Sequence, residues 1–189
     1  SADGTTSTIT VNITGSNDAA VISAPVVDLT ETNAVLTTGG TLTISDIDSP
    51  TTFNPLTNVA GSAGYGTFTV GSDGVWSYVA DTAHNEFEDG VVYTDSIEVT
   101  SADGTTSTIT VNITGSNDLS VITSATTNLI ESNASLSTGG TLVIADVDGP
   151  APSFLAQTNV TGSGGYGRFS LGSDGVWTYT TTGANNPLA

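Results

Sequence analysis

Nineteen acidic side chains stand against one arginine, Arg168, and no lysine, for a formal charge of −18 at pH 7. Carboxylates without basic partners are the main chemistry this sequence offers, and they recur in a pattern. Asn17-Asp18 returns as Asn117-Asp118, and Asp46-Ile-Asp48 returns as Asp146-Val-Asp148. Residues i and i+2 of an extended stretch point to the same side, so each Asp-x-Asp can direct two carboxylates at one ion. Oxygen donors in this number suit Ca²⁺, a hard cation with about six to eight oxygen ligands. Asn-Asp and Asp-x-Asp-x-Pro are also ordinary turn formers, and on pattern alone both readings stand.

Other chemistry is poorly supplied. The chain has no cysteine, which removes disulfides, zinc thiolates and thiol nucleophiles. His84 is the only histidine. It is expected to be a solvated loop residue, with no second His or Cys to hold a transition metal and no counterpart in the other repeat for a catalytic triad. The expectation is a protein that is not an enzyme. No nucleic-acid partner is expected, because nothing can neutralise phosphates. No direct membrane insertion is expected either, since no apolar run approaches the roughly 18 residues of a span.

The elements that must position these residues are set by a repeat. Ser1–Asp18 occurs again, residue for residue, as Ser101–Asp118. Residues 119–185 likewise repeat 19–84, pairing Leu42 with Leu142, Tyr65 with Tyr166 and Trp76 with Trp177. Units of about 100 residues are long enough for a self-sufficient β-sandwich. Ile9, Val11 and Ile13 alternate with polar residues, the period of a half-buried strand. Tyr93, Ile97 and Val99 share one parity, and Ala102-Asp103-Gly104 then turns the chain into Ile109, Val111 and Ile113 as a closing hairpin. Gly71-Ser-Asp-Gly74 predicts a second hairpin, Gly39-Gly40 a turn, and Pro25 a break in the first strand. The predicted fold is all-β: tandem Greek-key sandwiches of about seven strands per repeat. Residues 1–18 are the closing strand and linker of a preceding repeat, 19–118 a complete sandwich, and 119–189 a second repeat lacking its last two strands. Either the sequence stops within that repeat, or a strand such as residues 1–18 of another chain completes it.

Ser45-Asp-Ile-Asp-Ser-Pro50, Gly64-Tyr-Gly-Thr-Phe-Thr69, Ser72-Asp-Gly-Val-Trp-Ser-Tyr78, Tyr93-Thr-Asp-Ser-Ile-Glu-Val99 and Ile109-Thr-Val-Asn-Ile-Thr-Gly-Ser-Asn-Asp118 together resemble the VCBS repeat. That family occurs in very large bacterial surface and secreted proteins, including adhesins of the RTX type. The resemblance implies a cadherin-like sandwich, secreted or at the bacterial cell surface, that serves as a tandem spacer and meets adjacent repeats of its own protein. It also implies shared calcium at the junctions, as in cadherin repeats. Asn17, Asp18, Asp46, Asp48 and Asp103 would serve the first junction. Glu31, Asn117, Asp118, Asp146 and Asp148 would serve the second, with Glu31 and Glu131 matching the acidic residue that cadherin repeats carry near the first strand. Two other functions are carried alongside. One is a self-assembling extracellular fibre joined by strand exchange. The other is a carbohydrate-binding module using Phe68, Trp76, Tyr78 and their counterparts, although their alternation beside a hairpin favours core packing.

Overall fold

A computed structural model describes residues 2–184 of the 189-residue chain. Secondary structure among the described residues is all β. The first sandwich contains β1 (Val21–Ile22), β2 (Val26–Thr30), β3 (Thr37–Thr41), β4 (Ile44–Ser45), β5 (Leu56–Ala60), β6 (Gly66–Val70), β7 (Val75–Ala80), β8 (Val92–Thr100) and β9 (Thr106–Thr114). One sheet has the order β3-β7-β6-β5, the other β2-β9-β8, and β1 pairs with β4. The two long sheets hold the seven expected strands. The chain bends at Ser23-Ala24-Pro25, as expected of a residue that cannot donate to a ladder. Thr110 N donates to Pro25 O at 3.0 Å and Glu31 N to Thr114 O at 2.8 Å. Both chains advance in the same direction between these bonds, so β2 runs parallel to β9.

The core forms between the two sheets. Phe68, Val70, Trp76 and Tyr78 alternate inward on β6 and β7, and Val99, Ile109 and Val111 do so on β8 and β9; all are buried. Removing each such aliphatic side chain from water contributes about 2 kcal/mol. Asp95 is also fully buried. It accepts hydrogen bonds from Ala63 N (2.8 Å), Ser96 N (3.2 Å) and the Tyr78 hydroxyl (3.3 Å). Burial, and then the charge of Asp95, holds the Tyr78 hydroxyl well above its ordinary pKa, so it stays a donor. The carboxylate fits because residue 61 is glycine: a Cβ there would lie 2.1 Å from Asp95 Oδ1.

Three expectations need correction. Gly39-Gly40 is not a turn but lies within β3, paired to β7. A Cβ on Gly39 would meet Trp76 O at 2.5 Å and one on Gly40 the Trp76 indole nitrogen at 3.2 Å, so these glycines mark close approach rather than reversal. His84 is not solvated; it is 6% exposed, stacked on Phe87 at 4.5 Å and bonded to Glu86. Residues 2–18 form no strand, and Ile9, Val11 and Ile13 are exposed.

The second repeat has β10 (Val121–Ile122), β11 (Ser137–Thr141), β12 (Ile144–Ala145), β13 (Gln157–Thr161), β14 (Gly167–Leu171) and β15 (Val176–Thr181). It reproduces the β11-β15-β14-β13 sheet and the β10-β12 pair. Residues 126–130, the counterpart of β2, form no strand. The chain divides into two compact units, Ser1–Leu29 with Val35–Thr82 and Thr94–Asn112, and Thr30–Ala34 with Ala83–Tyr93 and Ile113–Ala189. Each group of acidic residues considered below lies within one unit.

Candidate metal centres

At the first group, the turn after β4 folds on its own carboxylate: Asp48 N and Ser49 N donate to Asp46 Oδ1 at 2.9 and 2.7 Å. Asp18 N donates to Asp48 Oδ2 at 3.2 Å, and the Ser49 hydroxyl to Asn17 Oδ1 at 2.7 Å. Asn17, Asp18, Asp46 and Asp48 therefore do come together, 30 residues apart in sequence. Asp103 joins them through a 3.5 Å contact from Asn17 Nδ2, but its oxygens are already heavily used. They accept from the Ser101 hydroxyl, Thr105 N (3.1 Å), the Thr105 hydroxyl (2.8 Å) and Ala20 N (3.0 Å). The Ser101 bond above all, then those from Thr105, holds the Asp103 carboxyl well below the usual carboxylate range. In the structure Asp103 acts as a clasp between the β8–β9 turn and the start of the sandwich. The string Ser-Ala-Asp-Gly-Thr is an Asx-turn signal that points to this role.

The second group reuses the geometry. Asp118 N donates to Asp148 Oδ2 at 3.0 Å, and Asn117 Nδ2 to the Asp118 carbonyl at 2.9 Å. Asp146 accepts from the Ser120 hydroxyl at 2.6 Å and Gly149 N at 3.0 Å; the Ser120 bond leads in lowering its pKa. What differs is burial. Asp148 is 7% exposed and Glu31 only 3%. Glu31 Oε1, Asp118 Oδ2 and Asp148 Oδ1 are buried and lack a hydrogen-bond partner. Burial, then the charge of Asp118, pushes the Glu31 carboxyl above its ordinary value; the Ser116 amide opposes this, and Asp148 and Glu86 add to it. A buried carboxylate without a donor is costly, and three in one neighbourhood form a set of unused oxygen ligands. The first group leaves one such atom, Asp46 Oδ2. Glu131, which matches Glu31 in sequence, is exposed.

The loop between β7 and β8 brings another orphaned acceptor, Asn85 Oδ1, which no sequence signal marked. Among the described residues, no group of three or more His, Cys, Asp or Glu forms a ready-made metal cage. The second group offers carboxylate oxygens, with Asn117 beside them, that could coordinate a cation. Among the described residues no helix is long and apolar enough to cross a membrane.

A family model described as a bacterial cadherin-like domain matches residues 17–115. No curated protein matches the chain.

Proposed function

The chain belongs to the bacterial cadherin-like domain family, and on that premise we propose that it is a non-catalytic spacer of a secreted or cell-surface bacterial protein, stiffened by Ca²⁺ between repeats. The finer kinship we infer is to the VCBS repeats of RTX-type adhesins. The observation that carries the calcium reading is the trio of buried, unpartnered oxygens on Glu31, Asp118 and Asp148. Asp118 and Asp148 both act against the charge of Glu31, and two like charges about 4 Å apart repel by about 1 kcal/mol even in water. Charge neutralisation and oxygen coordination are what Ca²⁺ supplies at such a place. Asn117 and Asp146 complete the proposed second set; Asn17, Asp18, Asp46 and Asp48, with Asp103 as their clasp, make the first.

Such a site works as a conditional staple. Extracellular calcium modules bind with Kd of about 10⁻⁴–10⁻³ M, so they fill outside the cell. At tenfold excess over Kd each site contributes about 1.4 kcal/mol. The acidic surface keeps neighbouring copies soluble and apart. Phe68, Trp76 and Tyr78 are buried, so these three rings do not offer a platform for a glycan.

Calcium titration with calorimetry, combined with small-angle scattering in calcium and in chelator, tests the proposal. Binding that is lost in Glu31→Gln and Asp148→Asn, with a maximum dimension that grows in calcium, is the expected result. No heat of binding and an unchanged dimension would discard it.

A further inference from the structure

Asn12, Asn112, Asn133 and Asn159 each stand two residues before a serine or threonine, with no proline between. This spacing is the acceptor pattern for N-linked sugars. Bacterial enzymes that transfer such sugars ask for one thing more, an Asp or Glu two residues before the asparagine. Of the four, Asn133 alone has it. Glu131-Ser-Asn133-Ala-Ser135 supplies acid, amide and hydroxyl at the required positions, whereas Thr10, Thr110 and Gln157 precede the other three.

The fold separates these sites in the same sense. Asn112 lies inside β9, the middle strand of its sheet, and its amide is engaged: Nδ2 donates to Asp28 Oδ1 and Oδ1 accepts from the Thr94 hydroxyl, both at 2.8 Å. Asn159 lies within β13 at a break in register, where its backbone N donates to the Ser170 hydroxyl and its carbonyl accepts from Arg168. Asn133 belongs to no strand. It sits at a bend in the loop that leads into β11, with Ser132–Ser135 facing solvent and the Ser132 hydroxyl donating to the Ala134 carbonyl at 3.4 Å. The first sandwich, whose two sheets are both present, has the same bend. There the Thr32 hydroxyl donates to the Ala34 carbonyl at 3.4 Å, and Thr32–Val35 face solvent. Exposure of this loop is thus a property of the sandwich itself. What the first repeat lacks is the hydroxyl, since residue 35 is valine.

We propose that Asn133 is an acceptor for an oligosaccharide carried on a polyprenyl diphosphate. Asn133 Nδ2 attacks C1 of the donor's first sugar. The C1–Nδ2 bond forms, the C1–O bond to diphosphate breaks, polyprenyl diphosphate leaves, and the amide gives up one proton to a base of the transferase. An amide nitrogen is a poor nucleophile because its lone pair is delocalised. The enzyme must therefore grip the acceptor firmly on both sides, and the Glu131 carboxylate and the Ser135 hydroxyl are the two handles. A loop can be drawn into such a grip, whereas a strand would first give up its ladder. The sugar would stand beside β11, the edge strand of its sheet. A bulky hydrated group there keeps a second chain from pairing along that edge.

The inference rests on the secreted bacterial reading above only for where enzyme and chain meet, so its test is run in solution with the enzyme supplied. The 189-residue chain is incubated with a bacterial oligosaccharyltransferase and a polyprenyl-diphosphate-linked oligosaccharide, and intact mass and peptide mapping are read. The expected result is a glycan on Asn133. Asn133→Gln and Ser135→Ala should abolish transfer, and Ser135→Thr should retain it. Glu131→Gln should slow it at least about tenfold, as loss of a charged contact does. All three positions are exposed, so the sandwich stays folded, as circular dichroism can verify. No transfer to the chain, whether or not a peptide of residues 128–138 is modified, would overturn the proposal. So would transfer that persists in Asn133→Gln, or an equal rate in Glu131→Gln. Transfer in solution to a chain that its own cells keep in the cytoplasm would support the acceptor site and fail the secreted reading.

Discussion

Val11 and Val111 occupy the same place in the same eighteen-residue string, yet Val11 is 76% exposed and Val111 fully buried. Gly15 has nothing within 4 Å of where a Cβ would stand, whereas a Cβ on Gly115 would lie 2.2 Å from the Glu88 carbonyl. Asp3 accepts from Thr5 N, while Asp103 also gathers Ser101 and Ala20. Alternation gives the string a face to bury and a backbone able to pair. Whether it becomes a strand depends on what stands beside it. At residues 106–114, β2 and β8 flank it and the aromatic sheet receives its isoleucines. At 6–14 no strand among the described residues flanks it, and its side chains are exposed.

Identical substitutions in the two copies sharpen this contrast. The largest difference is expected from Val→Asp. Val111→Asp buries an unpaired carboxylate and should cost about 4 kcal/mol or more by urea denaturation, whereas Val11→Asp should stay within about 0.5 kcal/mol. Equal losses would mean that residues 2–18 are packed in solution. Gly115→Ala overpacks the backbone of Phe87 and Glu88 and should cost about 2 kcal/mol; Gly15→Ala should be silent in the same assay.

A calcium comparison comes next. The Glu31 carboxyl is raised by folding, so in metal-free solution it favours the native state below the unfolded value of about 4.3 and opposes it as pH rises past that point. Glu31→Gln should therefore raise the melting temperature in chelator at neutral pH. It should also erase a calcium-dependent gain of about 1–2 kcal/mol. Exposed Glu131→Gln should do neither, and a calcium gain that survives Glu31→Gln would remove Glu31 from the site.

The smallest expected effect is at the clasp. Asp103 is depressed, so its contribution is present above about 3.9 and is lost as pH falls through the lower folded value. Asp103→Asn should flatten the acid limb of the stability profile and lower the melting temperature modestly. Asp3→Asn, which removes a bond local to Thr5, should have the smaller effect on both.

Much of the fold was legible because period and turn chemistry agree. The alternation in Val75–Ala80 and Thr106–Thr114, and the glycines at 74 and 104 with φ of 82° and 92°, marked strands and hairpins that the structure contains. Gly39-Gly40 misled because a turn and a close approach call for the same residue; only the position of Trp76 across the pair tells them apart. His84 misled because burial of a loop depends on neighbours distant in sequence, here Phe87 stacked on Tyr93. The pairing of Asn17-Asp18 with Asp46-x-Asp48 was visible as spacing. That Glu31, Asp118 and Asp148 leave oxygens without donors was not, since it depends on which hydroxyls and amides the fold brings near.

The parallel pairing of β2 with β9 has a mechanical consequence. After the short β1, β2 is the first long strand of the sandwich and β9 the last, side by side and pointing the same way. Tension between the two ends slides β2 along β9 in shear. The load then falls across the whole row of backbone bonds from Pro25–Thr110 to Glu31–Thr114 at once, where a hairpin pulled open at its end would yield one bond at a time. A repeat strung in this way gives little under drag and fails abruptly, at a force that pulling single molecules would register as a tall, narrow peak.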